Sequence, residues 1–310
     1  MSLIPYTAHL IVPTPITDDM LIDCTVPEPA PGEVPWDEGA AYEQGDEVIR
    51  TTTHRAYRRV VPGTTATPPE DDPDNWLPLL ATLRWRQFDR KIGTQTLTES
   101  GDLVTVLRPN STEGIGLMEL FGQRVSVVMT DRPAGAVVYE AEIDLDISDV
   151  YDVYSWAFGR YEQRRHIALI DLPGQYPLCE ITVTVHGNTA GAGLGTLGAG
   201  RVVPLGATEY GAGAGLLNFG KVADDGFGNR EWLAGDFANR VTLPILAPRA
   251  DFSRLHRLLS PLASTPCVYV GSSLASDEAL VVLGVYRDLY LAIPDVVTSR
   301  FNLEIDGLTN

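Results

Sequence analysis

The residues of this chain best suited to chemistry by type and spacing are aromatic. Trp36-x5-Tyr42-x2-Gly45-Asp46-x-Val48 is followed by Tyr57, Pro68-Pro69 and Trp76. Flat rings suit sugar recognition, because each covers the apolar C–H face of a pyranose while nearby polar groups fix its orientation. The same four residues suit the core of a tiny β-module, and their types alone leave both uses open. The surrounding segment, Pro27 to Pro78, holds nine prolines and acids such as Glu70-Asp71-Asp72. It is too polar to share a large core and too aromatic for a linker, so it reads as a module inserted over 31–83.

Other constellations lack the context their chemistry needs. Gly193-Leu194-Gly195-Thr196-Leu197-Gly198 has dinucleotide-fingerprint spacing. That chemistry needs a strand running into the loop and a helix starting inside it. Here Arg201-Val202-Val203-Pro204 follows, so the tract reads as a flexible β-connection. Asp144, Asp146, Asp149 and Asp152 cluster, yet the glycine and glutamate of a calcium loop are missing, and a solvated strand end is expected. The histidines His9, His54, His166, His186 and His256 show no zinc spacing. Ser272-Ser273 after Gly271 lacks the second glycine of a nucleophile elbow. No catalytic residue, cofactor or metal is assigned.

The positioning elements are strands. Runs such as Val125–Thr130, Val137–Ile143, Glu180–Val185, Val241–Leu246, Leu280–Tyr286 and Phe301–Ile305 are bounded by turn formers. Ile181, Val183 and Val185 alternate with Thr182 and Thr184, the pattern of a half-buried strand. Asp224-Asp225-Gly226 and Asp225–Asn229 read as hairpin turns. One segment differs: Phe252, Leu255, Leu258, Leu259 and Leu262 form a helical stripe over 249–262. The fold expected is mainly β. A jelly-roll-like sandwich (1–30 and 84–200) carries the inserted segment, and a β domain with one α-helix follows at 201–310.

Charge narrows the partners. With 23 Lys and Arg against 41 Asp and Glu the net charge is −18, which argues against nucleic-acid binding. No apolar run is long enough to insert in a membrane as a helix. Three cysteines far apart (Cys24, Cys179, Cys267) form no disulfide framework. Local cations stand in three groups: Arg55, Arg58 and Arg59; Arg84, Arg86, Arg90 and Lys91; and Arg160, Arg164 and Arg165. Each is a candidate contact or an ordinary solvated face.

Two resemblances add to this reading. The aromatic segment resembles carbohydrate-binding modules of the chitin-binding type 3 group, which implies sugar-binding roles for Trp36, Tyr42, Tyr57 and Trp76. It departs from them at Arg58-Arg59-Val60, where those modules present an exposed aromatic pair. Over most of its length the chain resembles tail proteins of tailed bacteriophages from the distal tail or baseplate region. The matching residues are Trp85–Asp89, Gly93–Thr96, Asp171-Leu172-Pro173, Leu205–Gly211, Phe227-Gly228-Asn229 and Leu303–Leu308. That resemblance implies a non-enzymatic virion component, assembled in the host cytoplasm, acting as adaptor or ring protein with a tail-tube-like carboxy-terminal domain. Its implied partners are other tail or baseplate proteins and further copies of itself. A receptor-binding protein holding a host surface glycan through the insert is the alternative.

Overall fold

The computed structural model describes residues 6–91, 93–148, 152–158, 162–224, 230–272, 274–294 and 296–309. The protein is mainly β. Strands β1 (Thr7–Pro13) and β2 (Leu21–Cys24) precede five short ones in the insert: β3 (Ala41–Tyr42), β4 (Glu47–Arg50), β5 (Arg55–Arg59), β6 (Gly63–Thr64) and β7 (Trp76–Ala81). Next come β8 (Thr96–Leu97), β9 (Leu103–Leu107), β10 (Gly114–Phe121), β11 (Arg124–Thr130) and β12 (Val137–Asp144). A short helix α1 (Val153–Phe158) leads to β13 (Ile167–Leu169) and β14 (Glu180–His186). The long β15 (Gly193–Thr208) is followed by β16 (Gly213–Asn218), β17 (Lys221–Asp224), β18 (Arg230–Leu233) and β19 (Phe237–Pro248). Helix α2 (Phe252–Leu259) and strands β20 (Cys267–Val270), β21 (Val281–Ala292) and β22 (Thr298–Thr309) complete the order.

Six strands close into a barrel in the order β15, β1, β20, β21, β22, β19, and Ala207 and Thr208 of β15 pair back to Leu246 and Ile245 of β19. Alternation builds its interior. Val241, Leu243, Ile245 and Ala247 face inward from β19, and Phe301, Leu303 and Ile305 from β22. Helix α2 supplies Leu255 and Leu259 to the same cluster, while Phe252 stays half-buried. Turns of 3-10 helix at Arg249–Asp251 and Ser260–Leu262 flank it, so the helical run covers the expected 249–262. The Tyr286 hydroxyl donates to the Leu259 carbonyl at 2.9 Å and ties helix to wall. Closure leaves β22 paired on both sides, by β19 and β21, with no free edge for another chain.

A five-stranded sheet, ordered β12, β11, β14, β9, β2, packs face to face on β10, β13 and the first half of β15. Val125, Val127 and Met129 from β11 and Ile181, Val183 and Val185 from β14 meet Ile115, Leu117, Leu194 and Leu197 across that interface. The opposite face of β10 lies on the outer wall of the barrel, where Met118 joins Ile11, Val268 and Val270. The middle layer is therefore buried on both faces.

That burial corrects the reading of the glycine tract. Gly193–Gly200 is buried strand, continuous with Arg201–Thr208, and not a flexible connection. Residue 200, the expected limit of the sandwich, lies inside β15. Glycine serves close approach here: a Cβ on Gly200 would sit 2.0 Å from the Val12 carbonyl oxygen, and one on Gly116 would sit 2.8 Å from Val268 Cγ2. Among the described residues, no helix is long and apolar enough to cross a membrane.

Candidate interaction surfaces

The insert folds as a three-stranded sheet, β4-β5-β7, beside the pair β3-β6. Its four predicted aromatics come together around Val48. Trp76 is fully buried, and Tyr42 meets it edge-on with ring centroids 5.1 Å apart. Tyr57 is buried beside them, its hydroxyl 3.2 Å from Thr53 Oγ1. Sugar stacking needs free ring faces, which Tyr42, Tyr57 and Trp76 lack, so these three form a core instead. Trp36 is half-buried, with the Arg50 guanidinium 4.8 Å from its ring centroid. Arg50 is itself held by Glu70 at 3.0 Å.

The arginines at the point of departure from the sugar-module pattern are both paired within the insert. Arg59 is buried, 4.9 Å from the Trp76 ring centroid and 4.0 Å from Asp72. Arg58 is exposed and paired to Glu47 at 2.6 Å. Neither offers an uncompensated charge to a partner.

A carboxylate joint fixes the insert to the body. Glu28 accepts hydrogen bonds from Thr82 Oγ1 at 2.6 Å and Trp85 Nε1 at 3.0 Å, and lies 2.9 Å from His54 Nδ1. The other ring nitrogen of His54 is 2.7 Å from Asp18 Oδ1, and its ring stacks on Trp85 at 4.0 Å. Glu33 accepts from the amides of Ala30 and Leu83, bracing the chain where it enters and leaves the insert. Trp85 apart, these residues belong to no motif, and only their folded positions bring them together.

A second joint links sandwich to barrel. The amides of Arg165 and His166 donate to Glu278 Oε1 at 2.6 and 2.8 Å. Arg165 also pairs with Glu119 at 3.3 Å, and His166 Nε2 lies 3.6 Å from the same carboxylate. Burial pushes the His166 pKa below the ordinary histidine value, although Glu119 and Glu278 oppose it. Arg164 and Arg165 are thus used within the chain, and Arg160 lies outside the described residues.

Among the described residues, an arm carries one of the exposed apolar surfaces. Beyond the Asn218↔Phe237 pair, β17 and β18 continue as a two-stranded ribbon. Val222 stands opposite Trp232, so both project from one face. Trp232 is 60% exposed, and Leu216, Phe219, Leu233 and Phe237 are exposed with it. A lone two-stranded ribbon is marginal in water, and clustered exposed apolar groups mark association sites. Asp225–Asn229, read as a hairpin turn and containing the Phe227-Gly228-Asn229 match, lie outside the described residues, but Asp224 and Arg230 on either side are paired. In the sequence these side chains look like any strand pattern, which is why the arm was not foreseen.

The remaining candidates resolve simply. Asp144 pairs with Arg124 at 2.7 Å, Asp146 accepts from the Ser148 amide, and Asp149 and Ser273 lie outside the described residues. Among the described residues, no group of three His, Cys, Asp or Glu could hold a metal ion. All three cysteines are buried and unpaired. Comparison with protein-family models, curated proteins and solved structures gives no match.

Proposed function

We propose that this chain is a structural component of a bacteriophage tail tip or baseplate, acting as adaptor or ring protein. The observation that carries the reading is the arm, on which Trp232, Val222, Phe219 and Leu233 stand exposed. The order of tail-protein-like segments along the chain supports the same role. The closed barrel with its helix is compatible with a tail-tube-like domain, and the packed sheets with a jelly-roll-like sandwich. The reading assigns no reaction, cofactor, nucleic acid or membrane insertion. It places the chain in the virion tail among other tail proteins, after assembly in the host cytoplasm. Mass spectrometry of purified particles, with electron microscopy of the tail tip, tests it. The chain should be present as density around the tail axis, and its absence from particles overturns the reading.

A receptor-binding role is the second reading, favoured by one observation. Trp36 is the only one of the four predicted aromatics that is not buried, and it lies on a module braced by Glu28 and Glu33. Binding on a glycan array that is lost in Trp36→Ala, with the module still folded, would favour this role over scaffold.

A further inference from the structure

Alternation along three strands of the five-stranded sheet sorts its side chains. Val125 and Val127 of β11, Val185 of β14 and Leu103 of β9 are buried in the sandwich core. Their chain neighbours Ser126, His186 and Asp102 therefore stand on the outer face. Register brings these together: Arg124 pairs with His186 across β11 and β14, and Val185 pairs with Leu103 across β14 and β9. No local spacing links positions 102, 126 and 186.

On that face Ser126 Oγ lies 3.2 Å from His186 Nε2, and His186 Nδ1 lies 2.9 Å from Asp102 Oδ2. A carboxylate only accepts, so in the neutral ring Nδ1 carries the proton and Nε2 presents its lone pair to the serine hydroxyl. The Gly187 amide donates to Asp102 Oδ1 at 3.0 Å and fixes the carboxylate. Hydroxyl, imidazole and carboxylate thus stand in the order of nucleophile, base and orienting group. Beside them is an open depression of about 270 Å³ lined by Gln123, Arg124, Glu142, Asp144 and His186. Arg124 gives Nε to Asp144 and Nη1 to Glu142, both at 2.7 Å, and its Nη2 makes no hydrogen bond among the described residues. Two residues from Ser126 on one strand face, that nitrogen is the donor available to an oxyanion.

We propose that Ser126, His186 and Asp102 form a hydrolytic site for short-chain acyl esters of polar alcohols. Every residue lining the depression is polar, so it suits a small acyl group on a hydroxyl-rich carrier and gives a long acyl chain nothing to bury against. His186 Nε2 takes the Ser126 proton as Oγ bonds to the acyl carbon, and Arg124 meets the charge developing on the carbonyl oxygen. The bond from that carbon to the alcohol oxygen then breaks, and the alcohol leaves with the proton from Nε2. Water attacks the acyl-serine and gives a proton to the same nitrogen, and the acid departs as Ser126 takes that proton back. Asp102 holds the ring and balances its charge. The assembly reading assigns no reaction, and this site stands or falls independently of it.

Labelling of the full chain with a fluorophosphonate probe, followed by peptide mass spectrometry, tests the site without any variant. The label should fall on Ser126. The protein should hydrolyse p-nitrophenyl acetate and glycerol triacetate, and should turn over p-nitrophenyl octanoate at least about tenfold more slowly than the acetate. Ser126→Ala should abolish both label and turnover, and His186→Gln should lower turnover about 100-fold or more. Arg124→Met should lower kcat with KM little changed, since its contact forms only as the oxyanion does. These side chains lie outside the core, so unchanged thermal midpoints confirm that the variants fold. A wild type that takes no label on Ser126, or ester turnover that survives Ser126→Ala, overturns the proposal and leaves the three residues a polar ladder on the sheet. Octanoate cleaved as fast as acetate overturns the assignment of substrate.

Discussion

His54 lies between two carboxylates, with Nδ1 2.9 Å from Glu28 and Nε2 2.7 Å from Asp18, and its ring stacks on Trp85. Glu28 is the centre of this joint, because Thr82 and Trp85 also donate to it. Its side chain is only 9% exposed, so removing it leaves several donors without an acceptor. Glu28→Ala should cost about 3 kcal/mol, the range for stripping a partner from buried hydrogen-bonding groups. The loss should be local. Limited proteolysis should cut within 27–33 and 80–85 while the barrel stays protected, and a variant as resistant as the wild type would refute the joint's role.

Trp76 anchors the insert alone, since Tyr42, Val48 and Tyr57 pack directly around it. Trp76→Ala should cost roughly 3–5 kcal/mol, enough to unfold so small a unit. Hydrogen exchange should rise across 36–81 and stay low in β19 and β22. Trp36→Ala should cost less, because that ring is only half-buried. Equal losses from the two would contradict this ranking.

Glycine positions separate close approach from simple exposure. Gly200→Ala places a methyl group on the Val12 backbone, which cannot swing aside as a side chain tip can. We expect a loss of about 2–3 kcal/mol, the upper part of the overpacking range. Gly213→Ala meets nothing within 4 Å and should change stability by less than about 0.5 kcal/mol. Chemical denaturation of both variants decides the matter, and comparable midpoints would show that β15 can give way at Gly200.

The same residues explain what could be read in advance. Local patterns carried the strands from Arg124 to Asp144, the strand at Glu180–His186 and the helix at Phe252–Leu259, because period 2 and period 3.6 are local properties. They also carried the aromatic cluster of the insert. The Gly193–Gly200 strand was missed because glycine used for close packing has the same composition as glycine used for flexibility. Barrel closure rests on Ala207↔Leu246, a pairing between distant segments that no local window contains. The Glu28–His54 and Glu278–His166 contacts join residues far apart in sequence, so spacing gave no hint of them. The arm was missed for another reason: an apolar stripe that awaits a partner is indistinguishable from one that faces its own core.

Acid should weaken the fold through its buried histidines. Burial lowers the pKa of His166 at the sandwich–barrel joint, and that of His9 on β1, where a backbone bond to Thr7 only partly opposes it. A histidine depressed in the folded state binds its proton more readily when unfolded. Above the ordinary value of about 6.5 both states are neutral and the fold keeps its full stability. As pH falls through that value the unfolded chain takes up protons first, so stability declines until the folded-state values are reached. Glu119, Glu278 and Arg165 face His166, and the two carboxylates alone would give the opposite trend, so the sign tests whether burial dominates. Urea midpoints should therefore drop between about pH 7.5 and 5.5, and His166→Gln should flatten the slope. A wild-type midpoint that rises on acidification, or a variant slope equal to wild type, would show that the Glu119–His166–Glu278 joint gains more from the charge than it loses to burial.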